Sequence, residues 1–469
     1  MSVMGSEEAE MGRGAKTLLS PSAIAGRLRA FLADRSDHSV AQRMAGAAFV
    51  IRVMSAAIAY VSQVLMARWM GGAEFGTYVA VWVWVLLIGH FSNAGLASAA
   101  QRFVPDYAER GDGEGLRGFI FGSRLIGFAL ATVVAGLGLL ALWRFGAFLS
   151  QTMVMPLALA ALCLPMFVLT DIQDGIARSY NWTDLALGPP YLIRPILLLA
   201  GMAAGHALGF AATAVTAMAC AVVATWIAAM VQMVLIDRRL AETVTTGLRR
   251  IEPGVWLKAS LPIFVVETFY LALTYTDIVL LKALAGPQEV AVYWAAVKTL
   301  ALVAFIYFSV AAAAAHRFSE YHVAGDREKL ADFLAASIRW TFFPSLAATI
   351  LILVLGKPFL MMFGPDFVRG YPAMFIVSVG LLARAAVGPV ERLLVMSGHQ
   401  TACAVIYGAA FGLAVVLCFL LIPPFGMMGA AVATAAALVL ESVLLFWITT
   451  TRLGLSMSLR RSPKPVAAE

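Results

Sequence analysis

Five of the basic residues that lie within otherwise apolar, membrane-spanning segments are candidates for a binding site. These residues are Arg52, Arg124, Arg194, Lys298 and Arg384. A charged side chain at the centre of a bilayer costs about 2.5–3.5 kcal/mol on insertion scales, so each has to face protein or water and not lipid. Ammonium and guanidinium groups donate charge-assisted hydrogen bonds to phosphate oxygens, so their placement predicts a hydrated cationic cavity for an anionic substrate.

The five residues differ in their depth within the apolar segments. Arg384 lies near the middle of its segment and Lys298 lies well inside its own, whereas the other three lie close to segment ends. A long side chain near a segment end can extend to the membrane surface, which is the alternative to substrate binding for Arg52, Arg124 and Arg194. Structural ion pairing is a further alternative for all five. Arg384 and Lys298 are therefore the strongest candidates for substrate binding.

A polar stripe follows Arg52 along its predicted helix. Helical spacing from Arg52 places Ser55 and Gln63 on one face, and Tyr60 lies beside them. The remainder of this segment is apolar. A polar stripe on a spanning helix predicts that this face of the helix lines the cavity.

Acidic residues in the apolar segments are candidates for coupling transport to a cation. Glu267 and Asp277 fall at helical spacing with two polar residues between them, which predicts that all four share one helix face. Glu391 follows Arg384 by seven residues, which predicts a common face of another helix. We expect Glu267, Asp277 and Glu391 to bind H+ or Na+. The alternatives are a structural polar seam for the first two carboxylates and ion pairing for Glu391.

The composition excludes most classes of soluble protein. Of the 469 residues, 61% are hydrophobic and 13% are charged, whereas soluble domains carry about 25% charged residues. The apolar residues are clustered in runs of about 20, the length of one transmembrane helix, and not in the short alternating segments of a membrane β-barrel. The sequence therefore predicts an all-α, polytopic membrane protein.

Motifs for catalysis or cofactor binding are missing from this sequence. The four cysteines lie in apolar runs without CxxC spacing, which disfavours a zinc site or a disulfide framework. No serine, cysteine or carboxylate constellation supports hydrolysis, and the glycine-rich stretch 111–115 lacks the lysine of a phosphate-binding loop. We therefore expect that the protein is not an enzyme and uses no metal or cofactor.

Twelve segments have the length and hydropathy of transmembrane helices. They lie at about 45–67, 77–99, 119–142, 153–174, 187–205, 209–235, 257–280, 291–315, 338–356, 373–396, 402–422 and 428–450. Lys and Arg are concentrated at both ends of the chain and in the loops on the same membrane side, so both termini are predicted to be cytoplasmic. The start of the chain carries no early apolar core, so we expect no cleavable signal peptide.

The longest cytoplasmic connection divides the chain into two sets of six spans. This division predicts a cytoplasmic tail at 1–42, a six-helix bundle at 43–236, a linker at 237–256, a second six-helix bundle at 257–451 and a tail at 452–469. The two bundles are expected to surround a central cavity, because duplicated six-span halves are typical of alternating-access transporters.

The two sets of spans resemble each other in sequence. Residues 68–78 resemble residues 282–293, where a cation and a small-residue turn precede an aromatic residue that opens the next span. Residues 209–216 resemble residues 429–436, at nearly the same separation along the chain. Two matches in the same order favour an internal duplication.

Four stretches carry a resemblance to a known family. They are Ala67–Tyr78, Asn93–Tyr107, Asp277–Gly286 and Val292–Ala296. Through them the chain resembles the polysaccharide transporter branch, that of the Wzx-like O-antigen and exopolysaccharide flippases, in the multidrug/oligosaccharidyl-lipid/polysaccharide flippase superfamily. The resemblance implies two pseudo-symmetric bundles of six helices around a central cavity. It also implies the transport of an undecaprenyl-pyrophosphate-linked oligosaccharide repeat unit across the bacterial inner membrane, for the biosynthesis of lipopolysaccharide or another surface polysaccharide.

The expected function is therefore that of a lipid-linked oligosaccharide flippase. Its expected partners are the substrate, membrane lipids, H+ or Na+, and the polysaccharide polymerase machinery, but no nucleic acid. A drug or organic-cation antiporter of the same superfamily is one alternative; it would need an acidic cavity, whereas the deepest charges are basic. A membrane polymerase or ligase is another alternative; it would need a large outer loop, and the predicted outer loops are short.

Overall fold

Long helices form nearly all of the described chain. The computed structural model describes residues 37–454, with individual side chains described from residue 54 onward except at seven positions between 305 and 322. No strand occurs in this part of the chain. A helix satisfies its backbone N–H and C=O groups within one segment, which is what an apolar run of membrane-spanning length requires in lipid.

The first half of the described chain contains seven helices. They are α1 (Asp37–Asn93), α2 (Leu96–Glu109), α3 (Gly113–Phe145), α4 (Gln151–Ser179), α5 (Thr183–Gly188), α6 (Arg194–Ala207) and α7 (Ala214–Thr243). A π-helical turn at Pro189–Ile193 joins α5 to α6. This turn agrees with the two prolines there, since Pro189 and Pro190 cannot donate backbone hydrogen bonds to the preceding turn.

The second half contains eight described helices. They are α8 (Pro253–Ala285), α9 (Pro287–Val323), α10 (Arg327–Val354), α11 (Gly356–Phe363), α12 (Tyr371–Val387), α13 (Val390–Met396), α14 (Gln400–Phe425) and α15 (Met427–Arg452). A 3-10 helix at Pro365–Gly370 joins the short helix α11 to α12.

The number of spans depends on a break inside α1. Eleven described segments are long and apolar enough to cross a membrane, and the first of them, Met54–Asn93, has 40 residues. As one straight helix it would extend about 60 Å, twice the hydrocarbon thickness of a bilayer. Gly71 interrupts it with φ 72° and ψ 169°, a conformation that is essentially restricted to glycine. The break makes two spans of this segment, so the prediction of an all-α membrane protein with about twelve spans is confirmed.

The turn in α1 is tighter than the sequence predicts. The first predicted span ends at about residue 67 and the second begins at about residue 77, but Gly71 alone leaves the helical conformation between them. The second half has a similar one-residue turn at Gly286, which has φ 92° and ψ 175° and separates α8 from α9. One glycine therefore reverses the chain in each half, because only a residue without a Cβ reaches this backbone region at low cost.

Corresponding carboxylates cap corresponding helices in the two halves. Glu74 Oε2 accepts a hydrogen bond of 2.7 Å from the backbone N–H of Ala214 at the start of α7. Glu289 Oε2 accepts one of 3.1 Å from the backbone N–H of Met427 at the start of α15. A carboxylate at a helix N-terminus satisfies a free N–H group and complements the helix dipole. The starts of α7 and α15 are thus equivalent positions in the two halves.

This equivalence corrects one of the two sequence matches. Residue 209 precedes the first residue of α7, whereas residue 429 lies inside α15. The match between 209–216 and 429–436 is therefore out of register. Both stretches are rich in small residues, which packed helices require at many positions, so a shift of a few residues preserves the pattern.

Two predicted spans are interrupted. The second span breaks at Ala94 and Gly95, and the tenth breaks at Gly388, all three with positive φ. At Gly388 a Cβ atom would lie 2.9 Å from the side chain of Ile338, so the close approach to α10 also requires a glycine. Glu391 consequently lies on α13 and Arg384 on α12. The prediction that they share a face of one helix is wrong.

The connection between the halves is shorter than predicted and is attached to the first half. It covers 244–252, because α7 continues to Thr243. Arg117 Nε donates to the carbonyl oxygen of Leu248 at 2.9 Å, and the Arg250 guanidinium pairs with Asp112. The Gly115 N–H and the Arg250 guanidinium lower the pKa of the Asp112 carboxyl from its ordinary value.

Candidate functional site

Lys298 lies on α9 and rests on an aromatic ring. Its ammonium nitrogen is 4.1 Å from the ring centroid of Trp294, one helical turn earlier. Among the described side chains, no carboxylate lies within ion-pair distance of this nitrogen. An aromatic face attracts a cation through its quadrupole without neutralising the charge. Within the described residues, the ammonium group of Lys298 therefore has no carboxylate partner that would compete with an anionic ligand.

The contact between α1 and α9 brings the predicted polar stripe to Lys298. Gln63 Oε1 accepts a hydrogen bond of 3.0 Å from the indole N–H of Trp294. The hydroxyls of Tyr60 and Thr299 are 3.2 Å apart. Two of the stripe residues thus contact the second half on either side of Lys298. The side chain of Arg52, at the start of the stripe, lies outside the described residues.

Arg194 lies at the start of α6 between aromatic rings of two other helices. Its guanidinium carbon is 5.3 Å from the ring centroid of Trp82 on α1 and 5.6 Å from that of Phe167 on α4. The two rings pack edge to face, with centroids 6.1 Å apart. No carboxylate pairs with Arg194 in the described part of the chain. Like Lys298, it is a cation held by aromatic faces.

Arg124 has an acidic partner. Its guanidinium lies 2.6 Å from a carboxylate oxygen of Asp237 on α7, and 13% of the Arg124 side chain is exposed. This pair joins α3 to α7 within the first half. The alternative of a structural ion pair therefore describes Arg124 better than a direct role in anion binding, because the carboxylate competes for its donors.

Arg384 is enclosed by two carboxylates and two aromatic rings. Its Nε is 3.4 Å from Glu441 Oε1, and a terminal nitrogen is 3.8 Å from Glu391 Oε2. Its guanidinium carbon lies 4.8 Å from the ring centroid of Tyr307 and 5.2 Å from that of Tyr270. The strongest candidate cation of the sequence is thus placed in an ion-paired cluster inside the second half.

The acidic partner that matters most for Arg384 was not predicted as a site residue. Glu441 on α15 is completely buried, and neither of its carboxylate oxygens has a hydrogen-bond partner among the described residues. The hydroxyl of Tyr407, whose ring packs against Tyr270, is also buried without a partner. Two carboxylates face one guanidinium, so a bound cation or proton would balance the charge of this cluster. The sequence signal for Glu441 was its position as an acidic residue inside the last apolar span.

The predicted acidic face of α8 does not form one cluster. Asp277 is buried, and its carboxylate accepts hydrogen bonds from the Tyr293 hydroxyl at 2.7 Å, the Thr434 hydroxyl at 2.9 Å and the Ile278 N–H at 2.7 Å. Glu267 instead accepts a hydrogen bond of 2.6 Å from the Ser98 hydroxyl on α2. The helix turns these two groups toward different neighbours.

The first half holds an acidic cluster that sequence reasoning did not select. Asp171 on α4 accepts a short hydrogen bond from the side-chain amide of Asn93. Asp174, one turn later, pairs with Arg178 at 2.7 Å. Asp171 also interacts electrostatically with Glu267 on α8. This group therefore lies where α4 approaches the second half.

Two apolar hollows open between helices, and neither is the predicted cationic cavity. One, of about 130 Å³, lies between α1, α3 and α4. The other, of about 370 Å³, lies between α10, α12 and α15. None of the four predicted cations whose side chains are described lines either hollow. In this conformation, Lys298, Arg194, Arg124 and Arg384 occupy separate places in the described fold.

The sequence of the chain also matches two known protein families. Residues 43–322 match the family described as polysaccharide biosynthesis protein, which is more than half of the chain. The chain belongs to the polysaccharide biosynthesis protein family. Residues 262–420 of this family member also match the MatE family, and its predicted resemblance to the polysaccharide transporter branch is confirmed. None of the curated proteins compared with it matches.

Solved structures of other proteins have a fold similar to that of this chain. The lipid II flippase MurJ in an inward closed conformation has a TM-score of 0.69 and 16% identity, covering 86% of this chain and 87% of that chain. An inward-facing multidrug resistance MATE transporter of the MOP superfamily has a TM-score of 0.69 and 14% identity, covering 85% and 93%.

A third similar structure is a MOP superfamily transporter from Pyrococcus furiosus, described as having a binding pocket of reverse polarity. Its TM-score is 0.64 and its identity is 15%, with 88% of this chain and 96% of that chain covered. The protein therefore has the multi-pass helical fold of the MOP superfamily transporters.

Proposed function

We propose that this protein is a flippase that moves an undecaprenyl-pyrophosphate-linked oligosaccharide repeat unit across the bacterial inner membrane. The repeat unit would then serve surface polysaccharide biosynthesis, as O-antigen or exopolysaccharide. Membership of the polysaccharide biosynthesis protein family and the likeness of the fold to a lipid II flippase and a MATE transporter support this proposal. In this proposal the protein is a transporter and not an enzyme.

The observation that carries the proposal is the environment of Lys298. A pyrophosphate carries about two negative charges and needs donors if it is to leave water. Lys298 offers an ammonium group that no described carboxylate pairs with, at the contact between α1 and α9. Arg194 offers a guanidinium group under the same condition. We assign the pyrophosphate to these two cations and the prenyl tail to lipid.

The remaining predicted cations have other roles in this proposal. Arg124 and Arg384 hold helices together through Asp237 and Glu441. Arg52 stays a candidate for the mouth of the pathway on the basis of its position in the sequence. An ion pair uses the donors that a phosphate would need, so the two paired arginines bind substrate only if their carboxylates are neutralised.

Cation coupling is assigned to the acidic groups near the contacts between helices. Glu391 and Glu441 share one guanidinium, and the unsatisfied oxygens of Glu441 favour binding of a proton or Na+ there. Glu267 is a second candidate because it links α8 to α2 through Ser98. Asp277 is the weakest of the predicted coupling residues, because three donors already satisfy its carboxylate.

The proposed orientation follows the distribution of basic residues. We place both termini and the connection at 244–252 in the cytoplasm, since Lys and Arg are concentrated on that side. Substrate would then be loaded from the cytoplasmic leaflet and released to the periplasmic leaflet. The polymerase that extends the repeat units is the proposed recipient of the product.

The test uses the full chain in sealed vesicles of phosphatidylethanolamine and phosphatidylglycerol. A lipid-linked oligosaccharide is followed by the reaction of its sugars with membrane-impermeant periodate. Lys298→Ala is expected to slow flipping more than about tenfold through loss of a charge-assisted bond, and Lys298→Arg to retain most activity. Lys329→Ala, which removes an exposed lysine that pairs with Asp326, is the control. Unchanged flipping by Lys298→Ala would contradict this assignment.

One observation favours a second candidate function. The acidic groups Asp171, Asp174 and Glu267 lie near one contact between the halves, and an exporter of organic cations needs such a surface. The match of residues 262–420 to the MatE family is consistent with it. The same vesicles loaded with ethidium distinguish the two functions. Ethidium export without lipid flipping above that of protein-free vesicles would favour the antiporter.

A further inference from the structure

The ring that supports Lys298 is held in place from the other half of the molecule. Trp294 belongs to α9, and only 5% of its surface is exposed. Its indole N–H, at the ring edge, donates to Gln63 Oε1 on α1 at 3.0 Å. This hydrogen bond fixes the rotation of the ring, because an indole has a single N–H donor. The face presented to Lys298 is therefore set by α1.

A second hydrogen bond next to Lys298 also fixes the position of α1 along α9. The hydroxyls of Tyr60 and Thr299 lie 3.2 Å apart. The Tyr60 ring packs edge to face on Phe363 of α11, with centroids 5.5 Å apart. Hydrogen bonds between the halves thus lie on both sides of the ammonium, at Trp294 and at Thr299.

Among the described side chains, no acid pairs with the Lys298 ammonium. The acid that interacts electrostatically with Lys298 is Asp277. The Asp277 carboxylate already accepts hydrogen bonds from Tyr293, Thr434 and Ile278. These three donors hold the carboxylate toward Tyr293 and Thr434. The ammonium is thus oriented by the aromatic face and not by a counter-charge, unlike Arg384.

We infer that Gln63 and Trp294 are positioning residues, which hold the Lys298 ammonium for a pyrophosphate only while α1 and α9 are in contact. This inference rests on the proposed function, in which Lys298 binds the pyrophosphate. Separation of α1 from α9 breaks the Gln63–Trp294 hydrogen bond and frees the ring to rotate. The ammonium then loses its fixed orientation and binds the pyrophosphate more weakly. Substrate release is thereby linked to movement of one half against the other.

A double-mutant cycle on the full chain tests this inference. The dissociation constant of farnesyl pyrophosphate is measured in detergent, with inorganic pyrophosphate in parallel to separate the anion from its prenyl chain. Gln63→Leu removes the acceptor, and Trp294→Phe keeps a ring but removes the donor. Each is expected to weaken binding of both ligands about fivefold, the equivalent of one hydrogen bond. The double variant is expected to bind no more weakly than either single variant, because both lose the same bond.

Controls separate positioning from folding and from the proposed function. Trp69→Phe replaces a tryptophan of α1, which stacks on His206, and should leave the dissociation constant unchanged. Thermal unfolding shows which variants are folded; if one single variant does not fold, the other gives the measurement. Wild-type affinity in Gln63→Leu and Trp294→Phe, or additive losses, would overturn the positioning roles while Lys298→Ala still loses binding. Wild-type affinity in Lys298→Ala would instead overturn the proposed anion site.

Discussion

The fourth spans of the two halves carry the same spacing of charges with opposite signs. In the first half, Asp171 precedes Arg178 by seven residues on α4; in the second half, Arg384 precedes Glu391 by seven residues across α12 and α13. Helix α4 is continuous, whereas α12 and α13 are separated at Gly388. The same architecture therefore holds an acid deep in one half and a base deep in the other.

The partners of these charges differ accordingly. Asp171 is hydrogen-bonded to a neutral amide, that of Asn93. Arg384 is paired with the fully buried carboxylate of Glu441. An acid held by a neutral group can lose its charge without leaving a partner unpaired, whereas an ion pair cannot lose one member at low cost. Two halves with equivalent reversal turns and helix starts therefore carry different polar chemistry inside.

Removing Glu441 is expected to have the largest effect on the second half. Glu441→Leu leaves the guanidinium of Arg384 buried with only the more distant Glu391, and breaking a buried pair costs about 3–5 kcal/mol in the free energy of unfolding. The double variant Glu441→Leu with Arg384→Met should recover most of that loss, since no charge remains unpaired. Chemical unfolding in detergent measures both. A loss below about 1 kcal/mol for the single variant would contradict a structural ion pair.

Alanine replacements of Gly71 and Gly286, the glycines at which the chain reverses direction, test whether the two turns are equivalent. A Cβ atom at Gly71 or Gly286 would meet no atom within 4 Å, so alanine there introduces backbone strain and no clash. Both replacements are expected to cost about 1–3 kcal/mol, because φ is positive at both. Equal losses in the unfolding free energy of the two variants would support equivalence of the turns. A loss of unfolding free energy in only one of the two variants would show that the two turns differ energetically.

Neutralising Asp171 should have a smaller effect than any change at Glu441. Asp171→Asn keeps a carbonyl oxygen that accepts from Asn93, so the expected loss in unfolding free energy is below about 1 kcal/mol. Glu441→Gln, the matched variant, is expected to cost more because Arg384 remains charged. Thermal unfolding of the two variants side by side measures the difference. Equal destabilisation by both would remove the distinction drawn between the halves.

The attachment of the connection at 244–252 to the first half is expected to depend weakly on pH. Because the folded state lowers the pKa of Asp112, the stabilisation from the Asp112–Arg250 contact is fully present above the ordinary aspartate pKa of about 3.9. It is lost as pH falls from there through the lower pKa of the folded state. Asp112→Asn should mimic the acid state at neutral pH. Hydrogen exchange of the 244–252 peptide checks both, and unchanged exchange in the variant would show that the other hydrogen bonds suffice.

Local sequence was enough to predict the number and positions of the spans. Span length and hydropathy are properties of contiguous residues, and the cost of an unsatisfied backbone in lipid leaves helices as the solution for such runs. The small-residue turn at Gly71 was visible for the same reason. Its length and the break at Gly388 were not, because a helix continues or stops according to what packs beside it, as Ile338 shows.

The sequence by itself determined which residues carry charge inside the membrane, and only the tertiary structure decided what those charges do. Arg384 and Lys298 look equivalent in an apolar run, yet one meets Glu441 and the other meets the Trp294 ring. Glu441 and Gln63 are distant from them along the chain, and helix packing alone brings such residues together. Whether a buried cation is neutralised or free for an anion depends on those neighbours, since desolvation and pairing act over only a few ångströms.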